Sequence, residues 1–142
     1  RMDFTSIGDT VNLAARLEGV NKMYGTWILT TDYTAKEAGE AFIYRKLDRV
    51  RVVGINTPVQ LLEVVCFKED LQEDKKKFLA DYETAYTLFE QRQWKKAEAL
   101  FTSLKSRDDT DGPVNLYLKR CKDFIQNPPA ADWDGVFNMT QK

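Results

Sequence analysis

Phe4-Thr5-Ser6-Ile7-Gly8-Asp9-Thr10-Val11-Asn12-Leu13-Ala14-Ala15-Arg16-Leu17-Glu18 is the stretch that decides the fold class. Phe4 to Ile7 reads as a short strand, Gly8-Asp9 as a turn, and Asp9 suits a helix N-cap. From Thr10 to about Tyr24, Leu13, Leu17 and Val20 recur at i, i+4 and i+7, the spacing of one helix face. Gly25 suits the stop. A strand feeding a helix through a tight turn sets up an alternation, and the next residues continue it.

Thr26 to Thr30 is β-branched and aromatic, so strand; Tyr33 to Ala41 reads as a short helix. Phe42 to Val53 reads as a strand, with Val50 and Val52 alternating against Arg49 and Arg51. Gly54 to Pro58 is a turn, and Val59 to Phe67 is a closing strand. Residues 1–67 are therefore expected to fold as an α+β unit in the order β-α-β-α-β-β. A chain that opens this directly on a strand is expected to be a segment of a larger domain.

The composition changes at Lys68. A charged stretch through Lys77 reads as a solvated helix face or linker. Beyond it Tyr82, Ala85, Tyr86 and Phe89 form one apolar helix face, and Trp94, Ala97, Leu100, Phe101 and Leu104 another. Gln91-Arg92-Gln93 joins them tightly, so the reading is a helix hairpin. Asp108 to Pro113 breaks the helix. Val114 to Ile125 reads as a third helix, with Leu116, Tyr117, Cys121, Phe124 and Ile125 on its apolar side, and Pro128-Pro129 ends it. The tail from Trp133 to Met139 reads as irregular or briefly extended. Residues 68–142 are thus a second unit, a helical extension.

The hairpin looks like a single tetratricopeptide-type unit, with Ala85, Ala97 and Phe101 at its small-small-aromatic positions. The Trp, Gly and Pro landmarks of that repeat are missing or displaced. One unit cannot bury its own face, since such arrays need about three repeats. Two readings stay open: an extension packed on its neighbour, and a partner-binding module.

Bulk composition removes several function classes. The chain has 142 residues, 21 basic against 22 acidic, and 43% hydrophobic content. That balance disfavours a binder of nucleic-acid backbones. No apolar run approaches the ~18 residues of a membrane span, so no membrane contact is expected from this segment. The opening residues lack the charged-then-apolar pattern of a signal peptide. Cys66 and Cys121 stand in unrelated contexts and read as reduced thiols, which points to a cytoplasmic setting. A parent protein anchored in a membrane through other segments is compatible with this. With no histidine in the chain, Ser-His-Asp, Cys-His and His-zinc chemistry are excluded for it.

What remains is carboxylate, amide, Arg, Lys or oxygen-ligated metal chemistry. Asn12 and Arg16 are one helical turn apart and share a face. A helix N-terminus favours anions. An amide and a guanidinium so placed can meet a ribose oxygen and a phosphoryl group together, because the planar guanidinium donates two parallel hydrogen bonds. Taken on physics alone, a polar i,i+4 pair is more often a solvated face.

Gly8-Asp9-Thr10-Val11-Asn12-Leu13-Ala14-Ala15-Arg16-Leu17-Glu18 resembles the signature of class III adenylate and guanylate cyclases. The flanks agree: Asn21-Lys22 with Tyr24-Gly25-Thr26, then Asp48 to Val52 with Gly54 and Pro58-Val59. The resemblance covers about residues 1–67. It implies the second half of a ferredoxin-like catalytic domain, of the bacterial adenylate cyclase type, which works as a head-to-tail homodimer with a second cyclase domain. It also implies an enzyme forming 3′,5′-cyclic AMP and pyrophosphate from ATP, as an intracellular signal.

The resemblance gives roles to three residues. Asn12 would orient the ribose, Arg16 would stabilise the transition state, and Thr5 stands at the base-selecting position. A Thr there resembles a bacterial adenylate-specific subgroup, although its hydroxyl can donate as well as accept. Two Mg²⁺ or Mn²⁺ ions would serve the reaction, bound by aspartates outside this chain. The segment alone is then expected to turn over no ATP. One departure stands out: the family often has a phosphate-binding Lys before the Gly of the last turn, and here that position is Val53. The cationic help then comes from elsewhere, with Arg51 a candidate, or is absent. This departure keeps a second reading open, a non-catalytic cyclase-like regulatory or partner-binding module.

Overall fold

The computed structural model describes residues 29–31, 35–36, 40–51 and 57–138. Those residues form a mixed α+β structure: β1 (Leu29–Thr31), β2 (Phe42–Arg51), β3 (Val59–Phe67), a short 3-10 turn (Lys68–Asp70), α1 (Glu73–Glu90), α2 (Trp94–Arg107), α3 (Gly112–Gln126) and β4 (Phe137–Asn138). The sheet order is β1-β3-β2-β4. The predicted strand at 4–7 and helix at 10–24 lie outside the described residues.

The long antiparallel pair β2/β3 is the centre of the sheet. β1 pairs antiparallel with β3, and β4 pairs parallel with β2 through Val50↔Phe137 and Arg51↔Asn138. The register slips between Lys46 and Asp48, where Leu47 is the extra residue. A bulge of this kind breaks the strict two-residue alternation of a strand. Here it lets the consecutive residues Leu47 and Asp48 both be buried, at 0% and 3% exposure. Arg45 and Val50 are buried as well.

Helix α1 starts at Glu73, so the second half of the charged stretch is its opening turn and the first half forms the 3-10 turn ahead of it. Its acidic Glu73 and Asp74 stand at the N-terminus, where the helix dipole favours them. Helix α3 begins at Gly112, earlier than the apolar periodicity indicates. Asp111 is its N-cap, accepting from the Val114 amide at 3.1 Å, and Pro113 sits in the first turn. Proline is pre-set for that position and lacks only an N–H that would have no helical partner. The sequence Asp-Gly-Pro therefore starts a helix here.

The helices share an aromatic core. Phe101 is 0% exposed; its ring stacks on Tyr117 at 5.5 Å and meets Tyr82 edge-on at 5.9 Å. Phe89 meets Tyr117 edge-on at 4.9 Å. Ala85 and Ala97, both fully buried, allow α1 and α2 to approach closely. The fully or nearly buried cluster runs from Phe78 to Cys121 and draws every member from the three helices.

The tail is pinned to this unit. Arg92, just after α1, has a positive φ of 65°, a position usually given to glycine. Its guanidinium offsets that strain by donating to the carbonyls of Pro129 and Ala130 and by lying over the rings of Trp94 and Trp133. Trp133 packs among Phe89, Trp94 and Phe124. The chain then returns to the sheet as β4. Among the described residues no helix is long and apolar enough to cross a membrane.

Candidate functional site

Thr5, Asn12 and Arg16 lie outside the described residues, as does Val53. What the structure does place is Arg51. Arg51 ends β2, and its guanidinium meets Asp134 of the tail at 3.3 Å. The Asp134 carboxyl is held below its ordinary range, first by the backbone amide of Val136 and then by Arg51. Arg51 thus carries a carboxylate partner within the chain.

The densest array of charge among the described residues lies where the helices meet β2. Arg45 donates to Glu63, its cross-strand neighbour, and to both oxygens of Asp111, at 2.8 and 3.0 Å. Its guanidinium also lies 4.8 Å over the Tyr82 ring. Burial opposes the Arg45 charge, yet the Asp111 hydrogen bonds and the surrounding negative charges outweigh it and hold the guanidinium above its ordinary pKa. Arg120 of α3 donates to Asp48 at 2.7 Å and stacks on Tyr117 and Phe137. Between the two ion pairs the strand's carbonyls are taken up: Tyr82 donates to Lys46 at 2.8 Å, Tyr117 donates to Leu47, and Gln60 donates to Asp48 at 2.9 Å.

The chemistry open to this array is narrow. Each carboxylate in it faces a guanidinium, and each guanidinium is spread over rings and oxygens. Burial, the largest cause, raises the hydroxyls of Tyr82, Tyr86 and Tyr117 above their ordinary pKa, so they stay protonated. None of the three hydroxyls is poised to move a proton near neutral pH. Among the described residues no group of three or more His, Cys, Asp or Glu could hold a metal ion. The array holds elements together.

A groove of about 410 Å³ opens beside it, lined by Ile43, Leu62, Leu71 and Leu79 with Lys46 and Lys76. Tyr44, Arg45, Tyr82 and Glu83 also line it, so aliphatic and polar side chains alternate around it.

Sequence reasoning singled out none of Arg45, Asp111 and Arg120. Two signals were available. Asp111-Gly112-Pro113 is an N-cap followed by proline in the first turn. Arg45 and Asp48 are charges inside a strand bounded by buried apolar positions. Neither signal names the partner, because the contacts join residues 66 and 72 positions apart.

The chain is similar to three proteins named adenylate cyclase. A terminal-differentiation specific adenylate cyclase of Dictyostelium discoideum is 34% identical over 131 residues, covering 89% of this chain and 6% of that protein. Adenylate cyclase 1 of Rhizobium meliloti is 38% identical over 65 residues, 46% of this chain and 10% of the relative. An adenylate cyclase of Anabaena cylindrica is 40% identical over 67 residues, 45% of this chain and 13% of the relative. The chain spans only about a tenth of the length of these relatives. A match over 89% of the chain necessarily takes in β1 to β3 and the three helices. No family model matches the chain, and no solved structure matches it significantly.

Proposed function

We propose that the chain is part of a class III adenylate cyclase, with residues 1–67 the second half of a ferredoxin-like catalytic domain and residues 68–142 a helical extension of it. The carrying observation is the similarity to three proteins of that name, joined to the Gly8–Glu18 signature. In this reading the intact enzyme converts ATP to 3′,5′-cyclic AMP and pyrophosphate. A second cyclase domain, head to tail with this one, completes the site.

The roles of the chain's own residues follow from phosphoryl-transfer physics. The ribose 3′-oxygen must lie in line with the bond from the α-phosphorus to the leaving pyrophosphate. The Asn12 amide holds the ribose in that line. Negative charge spreads over the phosphoryl oxygens in the transition state, and Arg16 meets it with two parallel hydrogen bonds, stronger there than in the ground state. The Thr5 hydroxyl accepts from the adenine amino group. The two metal ions of such an enzyme do not fit the described carboxylates: Asp48 is engaged by Arg120, and Asp111 by Arg45 and its own helix. Aspartates outside this chain would hold them.

The test is a cyclase assay on the intact parent with Mn²⁺ and either ATP or GTP. Arg16→Ala is expected to lower kcat by ~10²-fold or more with a smaller effect on KM. Unchanged turnover would remove Arg16 from the site. A higher kcat/KM for GTP than for ATP would refute the adenylate assignment.

A further inference from the structure

Strand β2 meets the helices along a seam that covers only part of its length. At Lys46 and Leu47 the strand's carbonyls accept from Tyr82 of α1 and Tyr117 of α3, which closes the seam there. Lys46 therefore turns its carbonyl away from β3. In an antiparallel ladder a residue's N–H and C=O point the same way, and alternate residues share that direction. The register runs unbroken through Tyr44↔Val64, Arg45↔Glu63 and Lys46↔Leu62. The Lys46 N–H and both main-chain groups of Tyr44 consequently face away from β3 as well. The parallel partner β4 reaches β2 only at Val50 and Arg51. Among the described residues nothing pairs with these groups of Tyr44 and Lys46, so β2 carries a short open edge.

The groove of about 410 Å³ lies along that edge. Ile43, Tyr44, Arg45 and Lys46 all line it, although successive strand residues point to opposite faces, so it meets β2 edge-on. Its other wall is Leu79 and Ala80 of α1. One residue before Ile43, Phe42 stacks at 4.9 Å on Phe67, which is 50% exposed and the one large apolar side chain so open among the described residues. An open strand edge beside an apolar groove is the combination that strand addition uses.

Charge decides the occupant. Lys46 and Lys76 line the groove, both are exposed, and neither pairs with a carboxylate among the described residues. Arg45 is already engaged by Glu63 and Asp111, and Glu83 is the one acid in the lining. The excess of open cations favours an acidic occupant. A second copy offering its own β2 would bring Arg45, Lys46, Arg49 and Arg51 with only Asp48 against them, and like charges oppose that pairing.

We propose that the open edge of β2 at Tyr44 and Lys46, with the groove beside it, takes an extended segment of a partner protein in which apolar and acidic residues alternate. The segment adds a strand: its main chain pairs with Tyr44 and Lys46. Its apolar side chains enter the groove toward Leu62 and Leu79, and its carboxylates meet Lys46 and Lys76. The Tyr82 hydroxyl ends the ladder at the Lys46 carbonyl. The proposal stands independently of the cyclase reading.

Peptide titration and amide hydrogen exchange on the full chain test it. The probe is a capped peptide of alternating valine and glutamate, about six residues long, with a control carrying lysine for glutamate. The acidic peptide is expected to bind with a Kd of about 1 mM or tighter and to slow exchange at Tyr44 and Lys46 by about fivefold or more at saturation. The lysine peptide is expected to bind at least about tenfold more weakly. Lys46→Glu with Lys76→Glu, both at exposed positions, is expected to invert that preference. No slowing at Tyr44 by the acidic peptide would overturn the proposal, and so would equal binding of the two peptides to the unaltered chain. A preference that the charge reversal leaves unchanged would overturn it too. Slowing at Tyr44 that grows with protein concentration in the absence of peptide would assign the edge to a second copy instead.

Discussion

Replacing Tyr117 by Phe removes a single hydroxyl from the most buried point of the seam. The ring is 1% exposed and touches Phe101, Phe89 and Tyr86 at centroid distances of 5.5, 4.9 and 5.5 Å, and Phe keeps all three contacts. What is lost is the donation to the Leu47 carbonyl. That carbonyl sits on the bulge of β2, where the ladder is interrupted. A typical net hydrogen bond contributes ~1 kcal/mol, and stranding a buried carbonyl costs ~1–3 kcal/mol. The expected loss is about 1–2 kcal/mol, or roughly 2–8 °C in Tm for a chain of this size. Urea unfolding followed by tryptophan fluorescence measures it, with the midpoint lowered and the slope unchanged. A loss below about 0.3 kcal/mol would show that the Leu47 carbonyl finds another donor, and the inferred role of the tyrosine hydroxyls would fall. A loss above about 4 kcal/mol would show that the ring itself had moved.

Phe101→Ala opens a cavity at the centre of the helical core and is expected to cost about 3–5 kcal/mol, read as a collapse of the thermal transition. Burial raises the hydroxyls of Tyr82, Tyr86 and Tyr117 above 10.0 in the folded chain, so each keeps its proton there while the unfolded chain loses it. The contribution of these three groups is full below pH ~10 and falls above it, with a slope approaching about 4 kcal/mol per pH unit, after a smaller decline from pH ~9 set by the Cys121 thiol. Urea midpoints measured from pH 8 to 11 check this; a flat profile contradicts it. Burial also pushes the Cys121 thiol up to about 12, whereas Cys66 is only half-buried. A maleimide is expected to label Cys66 at least about tenfold faster at pH 8, and equal rates would contradict the packing of α3.

The helices were the most legible part of this chain. Three and four-residue spacing places Tyr82, Ala85, Tyr86 and Phe89 on one face, and all are buried. Their ends were less legible. Pro113 reads as a breaker until Asp111 is recognised as a cap, after which it marks a start. The β2 bulge was not legible, because alternation assumes an unbroken pleat and Leu47-Asp48 violates it. The charges of the seam were visible, but their pairing was not: local spacing carries no information about partners this far apart in sequence. The proposed catalytic residues present the opposite case. Thr5, Asn12 and Arg16 are legible as a motif, because the spacing of an amide and a guanidinium along a helix is local. Arg51 shows how tertiary context changes a reading, since the tail supplies it with Asp134.

The pairing of Val50 with Phe137 gives the molecule a mechanical character. β2 and β4 run parallel, so tension applied between the start of β2 and the end of the tail loads their hydrogen bonds in shear. The load enters the sheet directly and bypasses the helices, which hang as an unstrained loop between the two strands. A two-residue ladder yields first. The next resistance is Trp133, wedged among three aromatic rings and clamped by Arg92. Only after both release does force reach α3, so a pull on the C-terminus is felt at the end of β2 before any helix unwinds.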